Sequence, residues 1–533
     1  MPPLLVAMDR HFPLRYLAWV GCSIGFLLTA FVWIGFGVGG GAAVVFGLGV
    51  ALGVYDHRQR AHPLWRNYPV IGHLHPLARW VRSRLGDGGA AEPYSRAQQA
   101  LVERRARGEA ETVSFASPHA VDRPGAEWLL HTLTPSPLLS PHDLRVTIGA
   151  SCRQPYSASL FNISGMDFGS LSAAAVLALN AGARRGGFAQ VSGEGGLTRY
   201  HRENGGDLIW EIGPGYFGCR SPDGGFDAEC YARVAREAQV KMIEVQLNHA
   251  ASAGAGGVLP AGKVTPEVAA LRGVPPRREA RSPAAHSAFS TPLELLHFVD
   301  DLRALSGGKP VGLKLCVGRP REWFAIAKAM AQTSLVPDFI VIEAAEGGSG
   351  AAPYETLGRM GLPGQDGLRL VHNTLNGLGL RERLKLGYSG RVVDAFDIAR
   401  ALALGADFCL AARSFMLALG CVQAARCHTN RCPTGIATQD PWRQRGLVVS
   451  DKAERVRHYH EQTLSALADL LQAAGLARAD QLEPRHLLRR TTAHSVQPLS
   501  ELLHACSPGA ALTGTAPDPS YQQDWTAARP DRF

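Results

Sequence analysis

The chain has 533 residues, enough for a large buried core and more than one compact unit. Apolar residues make up 46% and charged residues 19%, which excludes a disordered polymer. The formal charge of +9 comes without a basic stripe interleaved with aromatics or a recognisable nucleic-acid module, so a nucleic-acid partner is excluded.

Residues 1–15 form an N-terminal segment with Arg10 and Arg15. From Tyr16 to Tyr55 no Asp, Glu, Lys, Arg or His occurs, twice the roughly 20 residues a bilayer-spanning helix needs. Gly37-Val38-Gly39-Gly40-Gly41 weakens helix in the middle of this run, which predicts a transmembrane hairpin over 16–55 with helices at 16–36 and 40–55. One long tilted span and a cleaved signal are the alternatives, the signal the poorer because its apolar region is far shorter, about 7–15 residues. Arg58, Arg60 and Arg66 follow the run, so the positive-inside rule places both flanks, and the catalytic bulk, on the cytoplasmic side of the inner membrane. Ten Cys in a cytoplasmic chain are not a disulfide framework; a cluster among them is a metal candidate.

Residues 56–140 read as an Arg-, Pro- and Ala-rich connector with one helix, Ser95 to Arg107. From about Val146, short apolar strands alternate with Ala/Leu-rich helical windows, as in parallel α/β architecture. Eight strands are predicted, at Phe161–Met166, Phe188–Val191, Leu208–Ile212, Lys241–Leu247, Val311–Leu315, Asp338–Ala344, Leu384–Gly387 and Asp407–Leu410. Helical windows fall at Ser172–Arg185, Pro292–Leu305, Pro320–Gln332 and Val393–Leu404. Eight is the count of a (β/α)8 TIM-type barrel over 141–450; an open doubly wound sheet is the alternative. Helices are expected over 451–505 and a disordered tail over 506–533.

Cys421, Cys427 and Cys432 lie within twelve residues, and thiolates are soft ligands for iron–sulfur clusters or zinc. The spacing lacks the paired C-x-x-C usual for zinc, although His428 offers a fourth ligand; three buried structural thiols are the third reading. Small residues let backbone N–H groups approach a phosphate or flavin at Gly347, Gly348 and Gly350 after strand six. Gly390 and Arg391 follow strand seven and Ala412 and Arg413 follow strand eight, where this fold commonly binds phosphate. Lys314 interrupts an apolar strand and either sits beneath a flavin's pyrimidine edge or forms a buried ion pair.

Four stretches together resemble the central FMN-binding domain of the glutamate synthases, nearest to stand-alone bacterial members with a hydrophobic N-terminus. They are Ile163 to Ser172, Ser192 to Gly196, Glu346 to Pro353, and Cys421 to Gln439. The resemblance spans roughly 140–475. It implies FMN against Met166, Ser170 and Lys314 with its phosphate at the loops 347–350, 390–391 and 412–414, and a [3Fe-4S] cluster on Cys421, Cys427 and Cys432. It further implies that electrons from a separate donor, a ferredoxin or reductase, reduce the imine formed by ammonia and a keto acid, 2-oxoglutarate in the family. Glu194 and His249 are the expected catalytic groups, His249 as a proton donor, although a loop histidine paired with a backbone carbonyl is the plainer reading.

The stretch from Glu244 to Pro260 departs from the family pattern E-V-K-L-x-Q-G-A-K-P-G-x-G-G-Q-L-P. Gln246 and Ser252 stand where lysines are expected, and His249 and Val258 where glutamines are. Arg272 matches a substrate arginine, so the resemblance leaves one cation for a dianion. The family's glutaminase domain, with its N-terminal Cys, is not expected in a chain that opens Met1-Pro2 and continues into a membrane segment. Ammonia or an amine would then arrive from solution or a partner.

Overall fold

The computed structural model describes residues 14–75, 77, 93–109, 112, 117 and 119–533. Arg10, with most of the N-terminal segment, and much of the connector lie outside the described residues. Eight parallel strands close into a barrel: β1 Phe161–Ile163, β2 Gln190–Val191, β3 Leu208–Ile212, β4 Val240–Gln246, β5 Val311–Leu315, β6 Phe339–Glu343, β7 Lys385–Ser389 and β8 Phe408–Ala411. Each pairs with the next, and β8 returns to β1 through Cys409↔Phe161 and Ala411↔Ile163. All eight coincide with predicted strands, and the open-sheet alternative falls because the edges pair.

Strand alternation divides the barrel interior into two layers. At the amino end, Val191, Ile209, Met242, Val341 and Leu410 pack against Ile148, Tyr156 and Ala158 of a plug formed by strands Arg145–Ile148 and Tyr156–Ser159. Two residues further along three of these strands, the same inward face carries Glu211, Glu244 and Glu343. One barrel thus has an apolar floor beneath a charged layer.

The helices Ala173–Gly186, Pro292–Leu305, Pro320–Thr333 and Ala395–Ala403 match the predicted windows, and Gly364–Gly377 adds one that its Gly- and Asn-rich sequence concealed. The 25-residue helix Val449–Ala473 lies across Ala173–Gly186, where a side chain at Gly182 would collide with Val456. The connector helix Arg96–Arg107 is fastened to it by Glu103 to Arg455 (2.5 Å) and Arg105 to Thr463 (3.1 Å). An antiparallel sheet of Glu127–Leu129, Leu487–Arg490 and Val496–Pro498, not foreseen, joins the connector to the C-terminal region.

The tail expected to be disordered is instead packed. Helix Gln522–Ala527 buries Trp525 against Phe324, and Lys328 donates to the carbonyls of Trp525 and Ala528. One aromatic with a cationic partner outweighs the polar composition around it.

Helices α1 (Leu17–Phe36) and α2 (Gly40–Arg58) form the apolar hairpin, with Gly37 and Gly39 turning at φ 71° and 87°. Both are long and apolar enough to cross a membrane, and no residue of α1 is buried in the protein. Large side chains enter opposite glycines, Phe46 at Gly25 and Trp19 at Gly53, so the two backbones approach closely.

The segment after α2 docks on the cysteine-bearing region. Asn67 is buried and its amide donates to the carbonyls of Pro433 (3.0 Å) and Arg443 (2.9 Å), while Tyr68 accepts from Arg443 (2.7 Å). Asp56, fully buried, accepts from the Val70 N–H (2.8 Å) and bonds His73 (2.8 Å). A chain beginning at residue 56 is therefore expected to be soluble without detergent. One beginning after residue 60 should be about 2–3 kcal/mol less stable, because it leaves the Val70 N–H without its acceptor. Thermal unfolding of the two shortened proteins checks this, and full-length protein wholly soluble without detergent would contradict the membrane reading.

Candidate functional site

A cavity of about 190 Å³ opens at the carboxyl end of the barrel, and every strand contributes at or just beyond its end. Met166 and Ser170 follow β1, Glu194 follows β2, Glu211 lies on β3, Gln246 ends β4 with His249 beyond it, and Lys314 lies on β5. Glu343 and Gly347 to Gly350 come from β6 and its loop, Ser389 to Arg391 from β7, and Ala412 and Arg413 from β8. Arg272 and Cys427 also line it.

Lys314 is buried, its Nζ 2.7 Å from Glu211 and 3.6 Å from Glu244. Burial alone would lower its pKa, but the carboxylates of Glu211, Glu244 and Glu343 raise it well above the usual lysine range. Burial raises the Glu244 carboxyl, against the opposing pull of Lys314. The same barrel layer thus supplies both the ion pair and a cation facing the cavity.

Glycine makes the phosphate-type loops possible by close approach. A Cβ at Gly348 would occupy the Arg413 guanidinium, and one at Gly390 would strike the Tyr388 hydroxyl. Arg391 stacks 5.5 Å from the Tyr94 ring, and Tyr94 is held by two 3.0 Å hydrogen bonds between its backbone and the Gln423 amide.

Glu194 is enclosed by Gly213 and Gly257, where any side chain would meet its carboxyl, and accepts from Ser282 at 3.0 Å. Burial raises its pKa. His249 Nε2 lies 3.6 Å from Glu343, and among the described residues its buried Nδ1 has no hydrogen-bond partner, a backbone carbonyl included. Arg272 is buried, donates to Asp167 and lies 4.9 Å from the Phe217 ring. The buried Ser252 hydroxyl has no hydrogen-bond partner among the described residues and Ser252 lies outside the cavity lining, so of the two lysine-substituting positions Gln246 alone reaches the cavity.

Cys421, Cys427 and Cys432 lie on one stretch after the helix Arg413–Ala418. Burial pushes the Cys421 thiol up to about 12. Gln423, Ala425 and Asn430 in this loop adopt positive φ of 51–59°, a strain that loops retain where a function requires their shape. Among the described residues no three His, Cys, Asp or Glu are gathered closely enough to hold one metal ion.

Sequence reasoning missed Tyr94, Asp167, Glu211, Glu244 and Glu343. The last three carry a readable signal, since an acid near the end of an apolar barrel strand breaks the pattern as Lys314 does. Tyr94 carries none, because its connector reaches the cavity only through tertiary packing.

A closed parallel barrel with a cavity assembled from all eight carboxyl ends has the layout of a (β/α)8 barrel enzyme. The conserved region in glutamate synthase matches residues 143–477. Over 500 residues the chain is 34% identical to the glutamate synthase large subunit-like protein YerD of Bacillus subtilis, covering 85% of this chain and 94% of that one. It is 31% identical to the archaeal glutamate synthase [NADPH] of Methanocaldococcus jannaschii, covering 60% of each chain. Against the glutamate synthase [NADPH] large chain of Bacillus subtilis it is 35% identical, covering 53% of this chain and 18% of that one. Among solved structures, mandelate oxidase with (S)-2-phenylpropionate is similar at 14% identity and TM-score 0.40, covering 80% of this chain and 98% of that one. The chain belongs to the FMN-binding glutamate synthase family.

Proposed function

We propose that the protein is a membrane-attached oxidoreductase that uses FMN and a [3Fe-4S] cluster, with electrons from a separate donor, to reduce an imine formed from ammonia or an amine and a carbonyl compound. The observation that carries this reading is Lys314, fixed beneath a cavity whose rim is made of glycine loops with Arg391 and Arg413 at consecutive strand ends. FMN, when bound, supplies hydride transfer. Lys314 provides the cation that stabilises a reduced flavin's negative charge, and the loops 347–350, 390–391 and 412–414 with both arginines take the phosphate. Cys421, Cys427 and Cys432 hold the cluster. Met166 and Ser170 flank the flavin site.

Glu194 and His249 are the groups placed to hold or release a proton at the reacting nitrogen. Glu194 is kept dry by its glycine enclosure, and His249 has an unused ring nitrogen. Arg272 lies at the substrate end, but Asp167 already neutralises it. Both ends of the apolar hairpin return to the barrel, Arg15 to Asp440 (3.9 Å) and Asn67 to Pro433, which supports catalysis at the cytoplasmic face of the inner membrane. An electron-donor protein, a ferredoxin or reductase, would be met on that face.

Detergent-solubilised protein is expected to contain FMN together with iron and acid-labile sulfide. Flavin extraction and metal analysis check it: absence of flavin overturns the reading as a whole, and zinc or no metal overturns the cluster. Asn67→Ala is expected to lower stability by about 1–3 kcal/mol through two uncompensated buried carbonyls, and to hasten iron loss on dilution.

A further inference from the structure

The substrate end of the cavity is built for positive charge. At this end the lining carries the acids Asp167, Glu194, Glu211 and Glu343 with the cations Lys314 and Arg272, while Glu346, Arg391 and Arg413 stand with the glycine loops. Neither of those two cations is free: Lys314 is shared between Glu211 and Glu244, and Arg272 is taken up by Asp167. A dicarboxylate entering here would bring two more negative charges to a layer already short of cations.

The acids are not a loose surface cluster. Gly165 makes room for the Glu211 carboxyl, and Gly213 and Gly257 do the same for Glu194, so backbone positions are shaped around the carboxyl groups. Among the described residues the buried Glu343 Oε2 has no donor and the buried His249 Nδ1 has no partner, the two side chains approaching through Oε1 and Nε2 at 3.6 Å. The Gln246 side chain is 5% exposed, lines the cavity and makes no hydrogen bond among the described residues. A carboxylate oxygen, an imidazole nitrogen and an amide thus line one cavity without partners among the described residues, and a donor-rich cation can donate to the carboxylate, to an unprotonated ring nitrogen and to the amide oxygen. Met166, Val258 and Leu259 make the adjoining wall, which suits an uncharged carbon skeleton.

We infer that the substrate carries its reacting nitrogen as a cation, a protonated amine or the corresponding iminium on a skeleton without a second carboxylate, held by Glu343 and oriented by His249 and Gln246. This rests on the proposed reading for the chemistry at that nitrogen, but the charge preference rests on the cavity's own residues.

Full-length protein in detergent, with the cofactors it carries, would be titrated calorimetrically with methylamine and benzylamine, with methanol and benzyl alcohol as neutral counterparts, and with 2-oxoglutarate. Amines are expected to bind about 10- to 100-fold more tightly than the matching alcohols, and more tightly than 2-oxoglutarate. Glu343→Gln should abolish that difference. Gln246→Glu should increase it, which keeps the test decisive if Glu343→Gln does not fold. Amines binding no better than their alcohols, or 2-oxoglutarate binding best, overturns the inference. Protein lacking flavin and iron but still preferring amines would overturn the redox reading and leave the cationic site standing.

Discussion

Replacing Lys314 by Met is expected to destabilise the protein by about 3–5 kcal/mol, because it removes the cation from a buried ion pair and leaves carboxyl groups uncompensated. Glu211 and Glu244 are both buried, and only Lys314 neutralises them within the barrel layer. The loss should depend on pH with a definite sign. Burial holds the Glu244 carboxyl above its ordinary value, so the folded state favours its protonated form. That contribution is present below the unfolded carboxyl pKa and is lost as pH rises through the folded pKa. Without the ammonium the folded pKa rises further, so the deficit should be small near pH 5 and grow towards about pH 8. Denaturant unfolding at both pH values checks this, and adding Glu211→Gln should recover part of the deficit. A deficit that shrinks as pH rises would contradict the assignment of charges in this layer.

Cys427→Ser is expected to lose most of the protein's iron while keeping much of its flavin. The three cysteines follow the short helix Arg413–Ala418, whereas the contacts proposed for the flavin phosphate come from the loops after β6 and β7 and from Arg413 at the start of that helix. Thiolate is a far better iron ligand than a serine hydroxyl, so the effect on iron content should be near complete. Iron and flavin stoichiometry on one sample separates the outcomes. Flavin lost in proportion to iron would show that the cysteine loop and the phosphate loops form one folding unit. Iron retained in the variant would remove Cys427 from the ligand set.

The eight barrel strands were legible because each is a short, predominantly apolar run, and such runs have few alternative uses. The glycine loops were legible for the same reason, and the structure brings all three to one cavity. The helix Gly364–Gly377 was not, because its buried face includes glycine, asparagine and threonine that sequence patterns assign to turns. The tail at 506–533 was misjudged because its composition is polar, while its docking depends on Trp525 finding Phe324 and Lys328.

The sequence by itself determined the apolar hairpin, the barrel, the family and the residues bearing cysteine and glycine chemistry. The hairpin, the barrel and the cysteine and glycine stretches follow from local composition or spacing, and the family from the resemblance of four stretches, all of which a chain carries before it folds. The tertiary structure decided the charges of the site. Lys314 and Arg272 read as available cations until folding sets Glu211 and Glu244 beside one and Asp167 beside the other, across distances of about 70 to 105 residues of chain. It also decided that Gln246 faces the cavity while Ser252 does not, since one ends a barrel strand and the other lies in the turn beyond it. Electrostatics depends on which groups meet in a dry interior, and that meeting is long-range.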